Sequence, residues 1–495
     1  MLKVFSKLFQ TVHASSTILL VVILFVLAAV SLYREFMPDD TFIHIGYAKD
    51  ISEGRGYSFA GNKTYGSTSP GWPPFIAALA KVHIDLENSA RYLSFLFSLA
   101  AILLMYFAAR IRFDNLLSLG AAVLLGGNAY FLRWSLTGME ATASCFFMLV
   151  LVCIFFKEKE KKSHRFLYVI AGLSPLVRPE FYLFIPILFI FLLFKYPSQG
   201  YFLKLILTVL PTLIWNCFAY SYFGTIIPST FLVKAGNTLF STEWDTILRS
   251  TALFLSGNLI EFCFILMSLF FLIISTKKKL KNVVLYLMKS EISLFIAWIS
   301  LFYLYYVLKN VTILSRYSLV LLPVIIFLTV FLFEKVDERF NFTAKTKNIL
   351  FVGLVTVSLL VHGLFTYFII KPDADNFVCG FQHEYKKIAS MIAAEGQKES
   401  SVALSDVGII GVYSGAKIYD FVGLVDNDRF RFSSKRDYFL HKKPHYLILR
   451  GEFNVGELKD TSAVFQEMYT THIAGLGINQ KKDLKVTAYK VFWNQ

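Results

Sequence analysis

The chain has 495 residues, 56% of them hydrophobic and 17% charged, with a formal net charge of +15. Soluble domains run nearer about 45–50% apolar and about 25% charged, so this composition excludes an ordinary cytosolic enzyme and any disordered or collagen-like chain. The basicity is not a nucleic-acid footprint: lysines and arginines cluster in short connectors between apolar runs, at 157–162, 277–281 and 335–347, and no basic stripe interleaved with aromatics marks a soluble segment, so no nucleic-acid partner is expected.

The apolar excess lies between residues 15 and 370, as runs of about membrane-spanning length. A basic start, Lys3 and Lys7, precedes the run near 15–33. This is the charge pattern of a signal peptide, but no small-x-small cleavage site follows and Tyr33-Arg34-Glu35 closes it, so it reads as an uncleaved first helix with a cytoplasmic N-terminus. Further spans are expected near 90–109, 115–132, 138–156, 166–177, 181–194, 201–221, 251–275, 291–308, 317–333 and 349–370. Eleven spans that start inside put each Lys-rich connector on the cytoplasmic side and the C-terminal segment in the periplasm.

Residues 34–89 form a long first outward loop. Asp39 and Asp40 precede a segment in which Phe42, Ile45 and Ala48 recur at helical spacing, which predicts a short amphipathic helix along the membrane surface, with an aspartate able to cap it. One acid suffices for a cap. Two adjacent acids with no local cation to offset both read either as a cap with a solvated neighbour or as a general base. His44, one turn beyond Asp40 on the same face, reads as orienting that acid, helping to hold a metal or lying at the headgroups. Gly54 and Gly56 end the helix, and 64–74 reads as a rigid loop entering a proline-tolerant helix start. The later outward turns also carry ionisable groups: Arg133 with Glu140, Arg178-Pro179-Glu180, Lys234, and Arg316-Tyr317. Such groups near membrane depth are costly and face a cavity or a partner, so one site on the outer face is expected.

Residues 371–495 read as a soluble α/β domain, with a helix over 383–396 and strand-like runs at 402–404, 417–419, 446–449 and 485–489. Asp426-Asn427-Asp428 reads as a turn. Five scattered cysteines give neither a disulfide framework nor a CxxC zinc site. No P-loop and no strand-linked GxGxxG is present, so no nucleotide site is visible.

The order Asp39-Asp40, an aromatic, Tyr47-Ala48, Gly54-Arg55-Gly56-Tyr57, then Gly66-Ser67-Thr68-Ser69-Pro70-Gly71-Trp72 resembles the GT-C superfamily of polytopic glycosyltransferases. It is most similar to the mycobacterial-type arabinofuranosyltransferase branch that uses polyprenyl-phosphate sugars. Arg133 to Glu140, Leu176 to Glu180, Tyr222 to Lys234 and Arg316-Tyr317 follow in the same order. Gly46 stands where the family often has Arg, and Tyr65 and Ser67 replace its commoner Glu and Tyr.

The resemblance implies a transmembrane catalytic domain over 1–370, with about eleven helices, and a periplasmic α/β domain over 371–495, in a bacterial inner membrane. It implies an inverting transfer of a sugar, with arabinofuranose favoured, from a polyprenyl-monophosphate carrier to a glycan, glycolipid or protein acceptor. Asp40 is then the first choice for the base and Asp39 the second. Arg178, Lys234 and Arg316 would bind the donor phosphate. His44, Tyr47, Trp72, Glu140 and Glu180 would support the site or hold acceptor. Some superfamily members use a divalent cation, but the His/Asp spacing here assigns no metal ligand. The rival class, a transporter or flippase for a lipid-linked sugar, places ionisable residues near the midplane of repeated halves. Here they fall at the outer ends, and no repeat is visible.

Overall fold

The computed structural model describes residues 2–161, 164–197, 200–234, 242–275, 292–395, 399–451, 455–458, 462–473 and 484–494. Among them, five helices are long and apolar enough to cross a membrane: Ser16–Tyr33, Leu86–Arg110, Ala141–Lys159, Tyr201–Phe223 and the start of Ala344–Ala394. Shorter apolar helices, Asn115–Gly127, Arg165–Val177, Phe181–Lys195 and Ile292–Leu308, pack among them. The Ala141–Lys159 helix is the centre of the bundle, with 89% of its apolar window buried. The apolar runs expected from the sequence fall largely on helix. Among the described residues, however, only five helices, or six if one bent pair is a single span, are long and apolar enough to cross a membrane, so the expected count of eleven spans is not shown.

Three of those runs are broken, at Asn128, at 257–258 and at 319–321, the first two for identifiable reasons. The 115–132 run stops at Asn128, whose extended backbone starts a new helix, Ala129–Trp134, and whose side chain caps it by accepting from the Tyr130 and Phe131 amides at 3.0 and 3.2 Å. Asn competes with the helix for backbone bonds in this way and so favours caps over interiors. The 251–275 run is two helices, Trp244–Ser256 and Leu259–Ser275, meeting at 88°. Gly257 at the bend lies against the Tyr130 ring, where a Cβ would come within 2.3 Å of it.

The 349–370 run does not stop where its hydrophobicity does. Helix continues through two π-helical turns, Thr366–Ile370 and Val378–Gln382, to Ala394. At ~1.5 Å per residue this 51-residue rod is about 75 Å long and ties the bundle to the C-terminal domain. That domain carries a five-stranded sheet of order β2-β1-β3-β5-β4, where β1 is Ser401–Leu404, β2 Lys417–Asp420, β3 Tyr446–Arg450, β4 Ala463–Ile473 and β5 Leu484–Trp493. β1 pairs in parallel with β2 and β3, and β5 runs antiparallel to β3 and β4. The sequence reading lacks β4. It is an edge strand, mostly exposed or half-buried, with a register shift between Glu467 and Tyr469, so its alternation is interrupted.

The first-loop helix forms, over Asp39–Ser52, but it is not an amphipathic surface helix. Residues 41–48 are buried on all sides, because the C-terminal domain covers the face the sequence period leaves open. Neither acid caps it: the cap position is Pro38, with no side-chain cap bond.

Candidate active site

Asp39 and Asp40 occupy the first turn of this helix and diverge, as neighbours about 100° apart on a helix must. Asp39 turns to the C-terminal domain, where its carboxylate accepts from the backbone amides of Gly408 and Ile409 at 3.0 and 2.9 Å, at the start of the helix Val407–Tyr413. The approach is close enough to require glycine: a Cβ on Gly408 would lie 2.1 Å from the Asp39 carbonyl oxygen. Burial, with the charge of Asp406 beside it, pushes the Asp39 carboxyl up to about 7, while the two amides pull the other way.

Asp40 turns the opposite way, into a cavity of about 450 Å³ at the junction of bundle and C-terminal domain. There its Oδ2 lies 2.6 Å from Nη2 of Arg316. The cation absent from the local sequence around the two acids thus comes from the short helix Ser315–Ser318, far along the chain. Arg316 is buried, and its guanidinium lies 5.2 Å from the Tyr317 ring centre.

A second charged group lines the cavity nearby, with Arg178 and Arg316 both against the Tyr317 ring. Arg178 is held between two buried carboxylates: Nη1 donates to Glu140 at 3.0 Å, and Nε donates to Glu180 at 3.0 Å with Nη2 on the other Glu180 oxygen. Tyr306 donates to Glu180 at 2.6 Å, and Arg178 sits 4.9 Å over the Tyr317 ring. His44 points to Glu140, Nε2 to Oε2 at 3.2 Å, with Ser67 Oγ 3.5 Å from its Nδ1; its partner is therefore Glu140 and not Asp40. Buried charges persist when each is paired and hydrogen-bonded. Arg178 and Glu180 meet that condition, whereas Glu140 Oε2 has only the His44 contact.

The structure brings Asp40, His44, Glu140, Arg178, Glu180 and Arg316 to one cavity. It sets Asp39, Tyr47 and Trp72 outside the wall. The Tyr47 hydroxyl donates to the Thr64 carbonyl at 2.8 Å and accepts from the Gly66 amide at 3.0 Å, and the Trp72 indole donates to the Gly138 carbonyl at 2.8 Å. These two residues shape the loop that lines the cavity. The side chain of Lys234 lies outside the described residues. Among the described residues, no three His, Cys, Asp or Glu side chains form a metal-ligand group.

Two features of the cavity are missing from the sequence reading. Lys309, just past the helix Ile292–Leu308, lines it half-buried, with no carboxylate partner among the described residues. A lone lysine after an apolar run looks like one that snorkels to headgroups. The second is Leu424 of the C-terminal domain. Asp420 accepts from the amides of Val422, Leu424 and Val425 at 2.7, 2.5 and 3.0 Å, folding a loop that carries Leu424 to the rim. The Leu424 carbonyl accepts there from Ser229 Oγ at 2.7 Å. The Asp426-Asn427-Asp428 segment, expected as a turn, starts a short 3-10 helix, Asn427–Arg431, which Asp426 caps by accepting from the Asp428 amide at 3.1 Å.

Comparison with known proteins agrees with this architecture. Residues 67–221 match the family described as dolichyl-phosphate-mannose-protein mannosyltransferase, and residues 376–490 match a domain of unknown function. No curated protein matches the chain by sequence. Among solved structures, ArnT from Cupriavidus metallidurans bound to undecaprenyl phosphate superposes with a TM-score of 0.63 at 11% identity, over 95% of this chain and 97% of that one. The oligosaccharyltransferase AglB from Archaeoglobus fulgidus, in complex with an inhibitory peptide and a dolichol-phosphate, gives 0.53 at 13% identity, over 89% and 69%. The chain shares the fold of these proteins. The multi-pass helical architecture expected from the apolar runs thus has counterparts along nearly the whole chain.

Proposed function

We propose that the protein is an inverting glycosyltransferase that takes a sugar from a polyprenyl monophosphate on the periplasmic face of a bacterial inner membrane and passes it to a cell-envelope glycan, glycolipid or protein. The observation that carries this reading is the Asp40–Arg316 pair inside a 450 Å³ cavity of a chain with the ArnT fold. The neighbours' bound undecaprenyl and dolichol phosphates, and the matched family's dolichyl-phosphate donor, support a lipid-phosphate carrier here.

The chemistry needs a cation where the leaving phosphate gathers charge, and a base for the acceptor hydroxyl. Arg316 and Lys309 line the cavity as cations. Arg178 is already shared by two carboxylates, so its part is to hold Glu140, Glu180 and Tyr317 in place while contributing positive potential. Donor phosphate arriving at Arg316 competes with Asp40 for the guanidinium. Asp40 then takes the proton of the acceptor hydroxyl as its oxygen bonds to the anomeric carbon, and the bond from that carbon to phosphate breaks, with both electrons leaving on polyprenyl phosphate. His44, oriented by Glu140, sits one turn away at the same cavity.

Arabinofuranose is the sugar that the motif resemblance favours, whereas the matched family description names mannose. The test is therefore a donor series. Purified protein in nanodiscs is given polyprenyl-phosphate arabinofuranose or mannose with a membrane glycan extract, and free polyprenyl phosphate and new glycosidic bonds are measured. Release of the carrier with a new inverted linkage supports the reading and names the sugar. Movement of the lipid-linked sugar across liposomes, with no new linkage, replaces it by a flippase.

A further inference from the structure

A second cavity, of about 890 Å³, lies between the far end of the Asp39–Ser52 helix and the C-terminal domain, and the transfer chemistry makes no use of it. Lys49, Asp50 and Arg55 form one wall, and Lys417, Tyr419 and Lys443 the other. Lys49 follows Asp40 by nine residues on the same helix, so the groove opens about 14 Å from the proposed base. The walls are fixed to each other. Lys49 Nζ donates to the Val412 carbonyl at 3.2 Å and Asn62 to the Ile418 carbonyl at 2.8 Å, and the Phe59 ring packs so closely on Gly411 that a Cβ there would come within 2.4 Å of it.

The charges in this groove do not cancel. Asp50 is buried and accepts from Arg55, Ser58 and the Gly61 amide at 2.5, 2.6 and 3.2 Å, and Glu53 pairs with the same arginine. Lys442 pairs with Asp428 at 2.7 Å. The groove is lined by five cations, Lys49, Arg55, Lys417, Lys442 and Lys443, against three acids, Asp50, Glu53 and Glu399. Lys49, Lys417 and Lys443 have no ion pair within 4 Å among the described residues, and Lys417 acts on Asp428 only at longer range. Between them stands the Tyr419 ring, 5.8 Å from the Lys417 ammonium and 5.4 Å from that of Lys442. A polar groove with an aromatic face and surplus cations suits a sugar chain that bears negative charge; a neutral chain would gain nothing from the surplus.

We propose that this groove holds an anionic glycan, the part of the acceptor beyond the residue being modified. Tyr419 contacts a sugar ring, and Lys49, Lys417 and Lys443 face its phosphate or carboxylate groups. This inference rests on the transferase reading for the word acceptor, and its test does not depend on turnover.

Full-length protein in neutral-lipid nanodiscs, with no donor present, is titrated with fluorescent oligogalacturonate, a mannose-6-phosphate oligosaccharide and neutral dextran of equal length. The expected result is salt-sensitive binding of at least one anionic probe and none of dextran. Lys417→Glu/Lys443→Glu should weaken it about tenfold or more, whereas Lys417→Arg/Lys443→Arg retains it, with melting temperatures checking the fold of both. If the double variant does not fold, Lys417→Glu alone, on the exposed edge strand β2, is expected to cost about threefold. Dextran binding as tightly as the anionic probes, neither anionic probe binding, unchanged binding by the folded charge-reversal variant, or displacement of the probes by phosphatidylglycerol vesicles would each overturn the proposal. Carrier release is measured separately, so failure here leaves the transferase reading standing, and failure there leaves this binding result interpretable.

Discussion

Oδ2 of Asp40 and Nη2 of Arg316 are 2.6 Å apart, so the proposed base and the proposed phosphate cation neutralise each other until a donor enters. Both ends of the reaction therefore pass through one contact. Arg316→Gln removes the cation and leaves the size of the side chain similar; carrier release should fall by about 10²-fold or more, the usual cost of losing one preorganised charge-stabilising group. Arg316→Lys should recover part of this, since an ammonium supplies the charge without the planar fork. Single-turnover carrier release measures both, and full activity in Arg316→Gln would remove the residue from the mechanism.

Lys309 offers a second and simpler cation. Because it is half-buried and unpaired by carboxylate among the described residues, Lys309→Gln should leave the melting temperature close to that of the wild type. Its expected effect is a rise of about tenfold in donor KM, the scale of one charge-assisted phosphate contact. An unchanged KM would return Lys309 to the headgroup region.

Gly46 has a physical cause in this chain. A Cβ on it would fall 2.4 Å from the Phe59 ring. Gly46→Ala should destabilise the protein by about 1–3 kcal/mol, as overpacking of a filled core does. Phe59→Leu in the same chain should recover much of that. Thermal unfolding of the two variants decides it, and a neutral Gly46→Ala would mean the ring moves aside freely.

Asp39 gives a pH test. Its folded carboxyl is pushed up to about 7, above the unfolded value near 3.9, so its contribution to stability is full below about pH 4 and is lost as pH rises through 7. Asn at this position does not titrate. The melting-temperature difference, wild type minus Asp39→Asn, should therefore fall between pH 5 and pH 8. A flat difference would show that the two amide donors hold the carboxylate ionised throughout.

The helices were legible because apolar runs of spanning length leave few alternatives, and Asp40, Arg178, Glu140 and Arg316 were legible as costly ions at helix ends. Their pairing was not. Asp40 meets Arg316, and Arg178 meets Glu140, across separations that no local spacing encodes. Nor could adjacent Asp39 and Asp40 be told apart by chemistry; only the placement of the Gly408 and Ile409 amides separates their roles. The burial of the Asp39–Ser52 helix follows from the same contact, since a domain much later in the chain covers its outer face.

The most direct test of the central claim is carrier release by wild type and Asp40→Asn, with a polyprenyl-phosphate sugar and a membrane glycan extract. The account predicts that wild type liberates polyprenyl phosphate and builds a new glycosidic bond, and that Asp40→Asn folds normally but is slower by about 10²–10⁴-fold, the range expected for loss of a general base. An Asp40→Asn protein that transfers sugar at the wild-type rate would contradict it.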